Sequence, residues 1–293
     1  MSVFALKLVA MASMLSDHIG VFLYPQLISK PVYIWLRAFG RMAFPIFAFL
    51  IVNGYQKTHD VKKYFTRLTA FAVISQIPYA LLKNAGRLPV GTGLSVELGY
   101  RWFVCLIFIA VACVAWLSTV RADWTVVWPL LALSMAVLRV DWCGLHILCE
   151  RVNVFYTLAL SLALIAVTDA ALKPERDWVK LLMQVLGLLS AFFLIRDNMD
   201  YRAMGVALII SIWIAGGSRF SQAGVMLLWC VVEYIVDPHP ATHFIFAALA
   251  VGLVLLYNGR LGRPLKLAFY AVYPLHLAIL GGLAFYRALS FLG

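Results

Sequence analysis

Three apolar stretches of this sequence contain ionisable side chains that could take part in acid–base chemistry. Asp17 and His18 are adjacent in the first stretch, Arg37 and Arg41 lie in the second, and His276 lies in the last. A charge near the centre of a bilayer costs roughly 2.5–3.5 kcal/mol on insertion scales, so such residues are functional candidates by default. A neutral histidine can also accept a proton near physiological pH. These residues therefore predict a polar functional cluster at membrane depth.

Helical spacing relates the residues of the first stretch to one another. Lys7 and His18 are eleven residues apart, which is three helical turns with about 20° left over. They therefore share one face and are separated by roughly 16 Å along the helix axis. Asp17 lies about 100° round the helix from His18, so the two side chains need not touch.

Prolines open the backbone beside two of the other candidates. Pro45 has no N–H to donate to the carbonyl of Arg41, four residues earlier, and Pro274 interrupts the last stretch in the same way. Tyr273 and His276 are three residues apart and share a face. Broken backbone of this kind is tolerated at membrane depth where it lines a cavity. The alternative is that a buried histidine or arginine only joins helices through hydrogen bonds.

The elements that position these residues are transmembrane helices. The chain of 293 residues is 64% hydrophobic and 13% charged, whereas soluble proteins have about 45–50% apolar and about 25% charged residues. We predict an all-α fold, a polytopic membrane helix bundle with about 11 transmembrane helices and short loops, forming a single domain over residues 1–293. The spans are predicted near residues 4–24, 32–54, 63–82, 101–119, 124–140, 152–172, 178–195, 202–216, 220–236, 241–257 and 266–289.

The positive charge predicts an orientation. Basic residues are concentrated in alternate loops, which we place on the cytoplasmic side together with the N-terminus. They are Lys57, Lys62, Lys63 and Arg67, then Lys173, Arg176 and Lys180, then Arg219, then Arg260, Arg263 and Lys266. The net charge of +11 does not indicate a nucleic-acid partner, because these residues are dispersed rather than gathered on one surface.

The five cysteines show no metal-binding spacing, and no metal site is predicted. Cys143 and Cys149 share a short connection and could pair if it faces an oxidising space. The alternative is that all five cysteines are unpaired and act as small apolar residues.

The sequence resembles one known family in its polar motifs. The runs at residues 6–20, 40–50 and 269–277 resemble the TraX family, and the runs at 153–158 and 200–206 are similar to two of its weaker signatures. The resemblance implies N-terminal acetylation of pilin and a relationship to transmembrane acyltransferases, which use cytoplasmic acyl-CoA. It also implies a multi-pass protein of the bacterial inner membrane. Lys7, eleven residues before His18, stands where the related enzymes usually carry arginine.

The resemblance implies a role for each candidate residue. The donor would be acetyl-CoA, and the acceptor would be a peptide N-terminal amine or a glycan hydroxyl in or across the lipid membrane. The catalytic candidates are His18 as general base, Asp17 as its orienting group, Arg41 at the thioester or pantetheine, and His276 as a second proton carrier. The candidates for binding acetyl-CoA are Lys7, Arg37, Tyr273 and the cluster Lys62, Lys63 and Arg67, which would bind phosphates.

Two other functions remain open from the sequence. Intramembrane Asp, His and Arg also occur in proton-coupled transporters, although no inverted repeat is visible here. A non-catalytic subunit that helps to assemble a surface polymer is the third possibility. The basic cluster after the second span would then act only as a topology signal.

Overall fold

A computed structural model describes residues 1–83, 94–97, 139–142, 145–148, 152–172, 199–236, 240–263 and 266–290. Its elements, in chain order, are α1 (Val3–Leu23), α2 (Lys30–Gly40), α3 (Ala43–Lys57), α4 (Val61–Lys83), β1 (Leu94–Glu97), β2 (Arg139–Trp142), β3 (Leu145–Leu148), α5 (Val154–Ala171), α6 (Arg202–Ile214), α7 (Arg219–Val236), α8 (Ala241–Leu255) and α9 (Lys266–Ser290).

The helical membrane architecture is confirmed, but the count of about 11 transmembrane helices is not. In the described part of the chain, five segments are long and apolar enough to cross a bilayer: Val3–Leu23, Lys30–Lys57, Val61–Lys83, Arg219–Val236 and Ala268–Arg287. Three shorter apolar helices, Val154–Asp169, Arg202–Ile214 and Ala241–Leu255, coincide with further predicted spans. Residues 101–119, 124–138 and 178–195 of the predicted spans lie outside the described residues, and so do Cys143 and Cys149.

Three short strands add to the predicted all-α fold. They form an antiparallel sheet in the order β1, β2, β3. Strands β1 and β3 lie in predicted connections, and β2 overlaps the end of the predicted span 124–140. Arg139 and Asp141 belong to β2, and their charges would be costly in lipid, which disfavours a spanning helix at this position.

The helices form two compact units, and the single domain predicted over residues 1–293 stays a prediction. Unit 1 comprises Met1–Lys57 and Ala207–Ala284, and unit 2 comprises Thr58–Val206 and Phe285–Gly293. In unit 1, α1 packs on α2 and α3, and α8 packs on α2, α3 and α7. In unit 2, α4 packs on α5 and on β3.

Helix α1 is the organising element of unit 1. Its N-terminus is capped by Ser2, whose hydroxyl accepts a hydrogen bond from the Ala5 amide at 3.2 Å. Its buried residues recur at intervals of three and four, including Leu6, Ala10 and Met14, as expected for one helical face. Small side chains on that face let α2 approach closely, as is usual between membrane helices.

The predicted cytoplasmic segments of unit 1 lie together at one end of it. The loop after α8 pairs with the chain start through Val3 N to Arg260 O (2.9 Å) and Phe4 N to Leu261 O (3.1 Å). Lys57 Nζ at the end of α3 also donates to this loop. The grouping agrees with the alternation of basic loops, while the assignment of this end to the cytoplasm remains a prediction.

Candidate functional site

A pair of histidines joins the first and last helices of the described chain. His18 Nδ1 of α1 lies 2.7 Å from His276 Nε2 of α9. The ring centroids are 4.9 Å apart and the ring planes lie within 16° of each other. With a contact between two nitrogens this short, the geometry is that of an in-plane hydrogen bond rather than of face-to-face stacking. His276 is 8% exposed, so the bond is shielded from the surroundings.

The hydrogen bonds of His276 determine which nitrogen carries each proton. His276 Nδ1 lies 2.8 Å from the carbonyl oxygen of Val272, which can only accept, so Nδ1 must donate. When both rings are neutral, His276 Nε2 therefore carries a lone pair and accepts from His18 Nδ1. It follows that the unprotonated nitrogen of His18 is Nε2. The pair thus presents one basic nitrogen in a defined tautomer.

The predicted common faces are confirmed by contacts with α9. Lys7 Nζ lies 5.1 Å from the centre of the Phe269 ring, and His18 meets His276, so Lys7 and His18 both face this helix. Tyr273 is 3% exposed, and its ring centroid lies 5.5 Å from that of His276 and 6.2 Å from that of His18. Tyr273 therefore forms an aromatic wall beside the histidine pair.

Asp17 is paired with an arginine of α2. Its Oδ2 atom accepts from Arg37 Nη1 at 2.5 Å, and both side chains are about a fifth exposed. Gly40 permits this approach, because a Cβ atom there would lie 2.6 Å from the Cβ of Asp17. The sequence predicted Asp17 as an orienting group for His18 and Arg37 as a ligand of acetyl-CoA, and the structure unites these two residues in an ion pair.

Two serines that the sequence analysis did not select bind the end of α2. Ser13 Oγ donates to the carbonyls of Phe39 (2.7 Å) and Gly40 (3.1 Å), and Ser16 Oγ donates to the carbonyl of Leu36 (3.1 Å). The last carbonyls of a helix have no intrahelical partner, and a membrane interior offers no water to replace one. Ser13, Ser16 and Asp17 are three and four residues apart, and this spacing in the sequence could have indicated a polar face of α1 that contacts another helix.

Arg41 occupies a break in the second span. The sequence predicted one helix over residues 32–54, but α2 ends at Gly40 and α3 begins at Ala43. Pro45 explains the break, since it cannot donate to the carbonyl of Arg41. The opened backbone predicted beside Arg41 is therefore confirmed. The Arg41 Nε atom is buried and has no hydrogen-bond partner among the residues that the structure describes.

The basic cluster after the second span belongs to unit 2. Lys62 and Lys63 are exposed in the first turn of α4, where Asp60 Oδ1 accepts from the Lys63 amide at 2.8 Å. Arg67 is partly buried one turn later. The histidine pair belongs to unit 1. A shared role in binding acetyl-CoA therefore remains a prediction for Lys62, Lys63 and Arg67.

The arrangement in unit 1 is suited to proton transfer. A neutral histidine base, held by a second histidine, can take a proton from an amine or a hydroxyl. The guanidinium group of Arg41 can donate hydrogen bonds to a developing negative charge. Within the described ranges, no group of three or more His, Cys, Asp or Glu side chains could hold a metal ion.

Comparisons with known proteins identify a family and one relative. The family described as TraX protein matches residues 2–150 and 148–284. The chain is similar to the probable fimbrial assembly protein FimC, serogroup H1, of Dichelobacter nodosus. The two are 28% identical over 292 residues, which cover 95% of this chain and 94% of the relative. No solved structure matches the chain.

Proposed function

This chain belongs to the TraX family, and on that premise we propose that it is a multi-pass membrane acetyltransferase. It would transfer the acetyl group of acetyl-CoA to the N-terminal amine of a pilin-like peptide, or to a hydroxyl acceptor. The observation that supports this most directly is the hydrogen bond between His18 Nδ1 and His276 Nε2, which leaves a basic nitrogen on His18. The relative named a fimbrial assembly protein supports an acceptor from a surface fimbria.

In the proposed reaction, His18 Nε2 removes a proton from the acceptor as its nitrogen or oxygen attacks the acetyl carbonyl carbon. The carbon–sulfur bond then breaks, and the thiolate of coenzyme A takes the proton back from His18. The products are the acetylated acceptor and free coenzyme A. His276 accepts the hydrogen bond from His18 Nδ1 throughout, so it stabilises the charged ring that forms in the middle of the reaction.

Arg41 would stabilise the negative oxygen of the tetrahedral intermediate. Its Nε atom lacks a partner in the described structure, and its position follows from the break between α2 and α3. Preorganised donors of this kind are worth about 2.7–4 kcal/mol when they face a developing oxyanion. Asp17, through Arg37, would fix the end of α2 from which Arg41 projects.

The remaining candidates would bind the donor. Tyr273 would pack against the acetyl group or the pantetheine arm beside the histidines. Lys7, which lies over the Phe269 ring of α9, would contact the donor between α1 and α9. Lys62, Lys63 and Arg67 would contact the phosphates of coenzyme A. The protein would act in the bacterial inner membrane with its N-terminus in the cytoplasm.

The test is acetyl transfer by the purified full-length protein in lipid nanodiscs, with a pilin N-terminal peptide as acceptor. We expect His18→Ala to lower kcat by roughly 10²–10⁴-fold, because a general base contributes about that much. His59→Ala is the matched control, since His59 is exposed in the loop before α4. Equal turnover by His18→Ala and by the unmodified protein would remove His18 from the mechanism.

A non-catalytic role in assembly is the second candidate, because the relative is named for fimbrial assembly. The two functions separate in cells that require this protein for a surface fimbria. If assembly depends only on acetylation, His18→Ala will abolish both the acetylated pilin N-terminus and the fimbria. Normal fimbriae with an unmodified N-terminus in the unmutated strain would favour the assembly role.

A further inference from the structure

The loop between α8 and α9, residues 256–263, is held more firmly than an ordinary surface connection. Its backbone pairs with the start of the chain through Asn258 N to Met1 O (2.9 Å), Val3 N to Arg260 O (2.9 Å) and Phe4 N to Leu261 O (3.1 Å). Loops usually carry few such bonds and move accordingly. In this loop two of the three bonds satisfy amides in the first turn of α1, which have no partner within their own helix.

Side chains from two other helices also fix the loop. Lys57 Nζ of α3 donates to Tyr257 Oη (2.7 Å) and to the Gly259 carbonyl (3.1 Å). Arg219 Nη1 of α7 donates to the Tyr257 carbonyl at 2.7 Å. Two basic groups of unit 1 are therefore used to build the loop itself.

Two glycines define the path of the loop. Gly259 has φ 78° and Gly262 has φ 73°, both in the left-handed region that favours glycine. At Gly262 a Cβ atom would also lie 2.7 Å from the Cβ of Phe4. The loop conformation is thus specified by its own sequence and by the start of α1.

Two further basic residues of the same loop are presented to the surroundings. Arg260 and Arg263 are exposed, and neither guanidinium has a partner within the described part of the chain. They contrast with Lys57 and Arg219, whose charges are bound to the loop. A rigid loop with two available guanidinium groups fits phosphate, because arginine binds it through two parallel hydrogen bonds.

The loop is connected to the histidine pair along the seam between α1 and α9. The seam begins where Phe4 packs edge-on against Phe269, with ring centroids 5.8 Å apart, and continues past Lys7. Between these two contacts α1 rises by fourteen residues, roughly 21 Å, and α9 rises by seven residues, roughly 10.5 Å. A ligand with phosphates at one end and a reactive group at the other could occupy this length.

We propose that Arg260 and Arg263 bind the phosphates of the acyl-CoA donor, with its extended pantetheine arm directed along the α1–α9 seam toward His18. This inference rests on the proposed acetyltransferase function and names the phosphate ligands within unit 1. The phosphate of an anionic lipid headgroup has the same chemistry, and the experiment below separates the two sources.

The experiment compares Arg260→Gln/Arg263→Gln with the unmodified full-length protein in phosphatidylcholine nanodiscs. We expect the double variant to bind coenzyme A roughly tenfold or more weakly, since it loses the charge-assisted hydrogen bonds of both guanidinium groups to the phosphates. KM for acetyl-CoA should rise while kcat stays nearly constant, because the phosphates are remote from the bond that breaks. Lys30→Gln, at the exposed start of α2, is the control for the loss of a charge.

Two conservative comparisons sharpen the assignment. Arg260→Lys/Arg263→Lys should recover part of the affinity, because lysine keeps the charge but loses the bidentate geometry. Lys62→Gln/Lys63→Gln removes the same charge from unit 2. A larger loss of coenzyme A affinity in that variant than in the loop variant would overturn the proposal.

The lipid arm measures retention of phosphatidylglycerol by native mass spectrometry. Unchanged coenzyme A affinity with reduced retention of this lipid in Arg260→Gln/Arg263→Gln would assign the site to lipid phosphate. No change in either ligand would overturn the inference and leave both arginines as topology signals. The proposed function is judged separately, since it fails if the unmodified protein neither binds nor consumes acetyl-CoA.

Discussion

Each of the two units buries a polar cluster between helices, and the clusters differ in what they can do. In unit 2, Asn153 Nδ2 donates to the Ala72 carbonyl (2.7 Å) and to Gln76 Oε1 (3.0 Å), while its Oδ1 accepts from the Phe155 amide (3.1 Å). In unit 1, His18 and His276 share one hydrogen bond in a chain that ends on a carbonyl.

The difference lies in the protons. Amide groups neither gain nor lose a proton near neutral pH, so the Asn153–Gln76 cluster can only satisfy hydrogen bonds and join α4 to α5. Imidazole rings exchange protons in that range, so the histidine pair can change state without changing its packing. Whether a polar residue at membrane depth only holds helices together or can also take part in a reaction therefore depends on its residue type. The following predictions test this contrast.

The largest effect should come from removing His276, which accepts the hydrogen bond from His18 and donates one to the Val272 carbonyl. We expect His276→Leu to lower kcat by about a hundredfold, because His18 loses the group that fixes its tautomer and stabilises its charged form. His276→Gln should recover part of this loss, since its amide oxygen can accept from His18 Nδ1. If glutamine and leucine variants are equally impaired with normal folding, His276 acts only through packing.

The matching change in unit 2 should reduce stability and not the chemistry. Asn153→Ala leaves the Phe155 amide without its buried partner, at about 1–3 kcal/mol, and also removes the side-chain hydrogen bonds to the Ala72 carbonyl and to Gln76 Oε1. We expect a lower free energy of unfolding in detergent, measured by denaturant titration, and unchanged kcat for the fraction that remains folded. A fall in kcat without a fall in stability would show that the amide cluster takes part in the reaction.

The smallest of these effects concerns the support of the site. Gly40→Ala places a methyl group 2.6 Å from the Cβ of Asp17, so α1 and α2 must separate. Overpacking of this kind should lower the free energy of unfolding by about 1–3 kcal/mol. Because Arg41 follows directly, kcat should also fall several-fold. Gly217→Ala is the control, since Gly217 lies in a turn where a Cβ atom meets nothing within 4 Å. Equal activity of Gly40→Ala and this control would show that the Asp17–Arg37 ion pair does not support Arg41.

The sequence was sufficient to predict the features that depend on local periodicity. The common face of Lys7 and His18, the common face of Tyr273 and His276, and the open backbone before Pro45 all follow from helix geometry and proline chemistry. Each needs only residues of one segment.

The features that depend on contacts between segments could not be predicted. Nothing local indicates that His18 bonds to His276, 258 residues away, or that Asp17 bonds to Arg37. Ser13 is an ordinary polar residue until the open carbonyls of α2 lie beside it. The short strands were missed for a different reason, since Arg139–Trp142 adjoins an apolar run long enough to resemble a spanning helix.

The separation of the two histidines also has a consequence for how the protein is made. His18 leaves the ribosome 258 residues before His276, which is roughly 13–50 s of synthesis at 5–20 residues per second. During that interval α1 is in the membrane without its partner on α9. The basic nitrogen is therefore oriented only when translation of the last helix is complete, and shortened products of the gene would carry His18 in an unassembled, inert form.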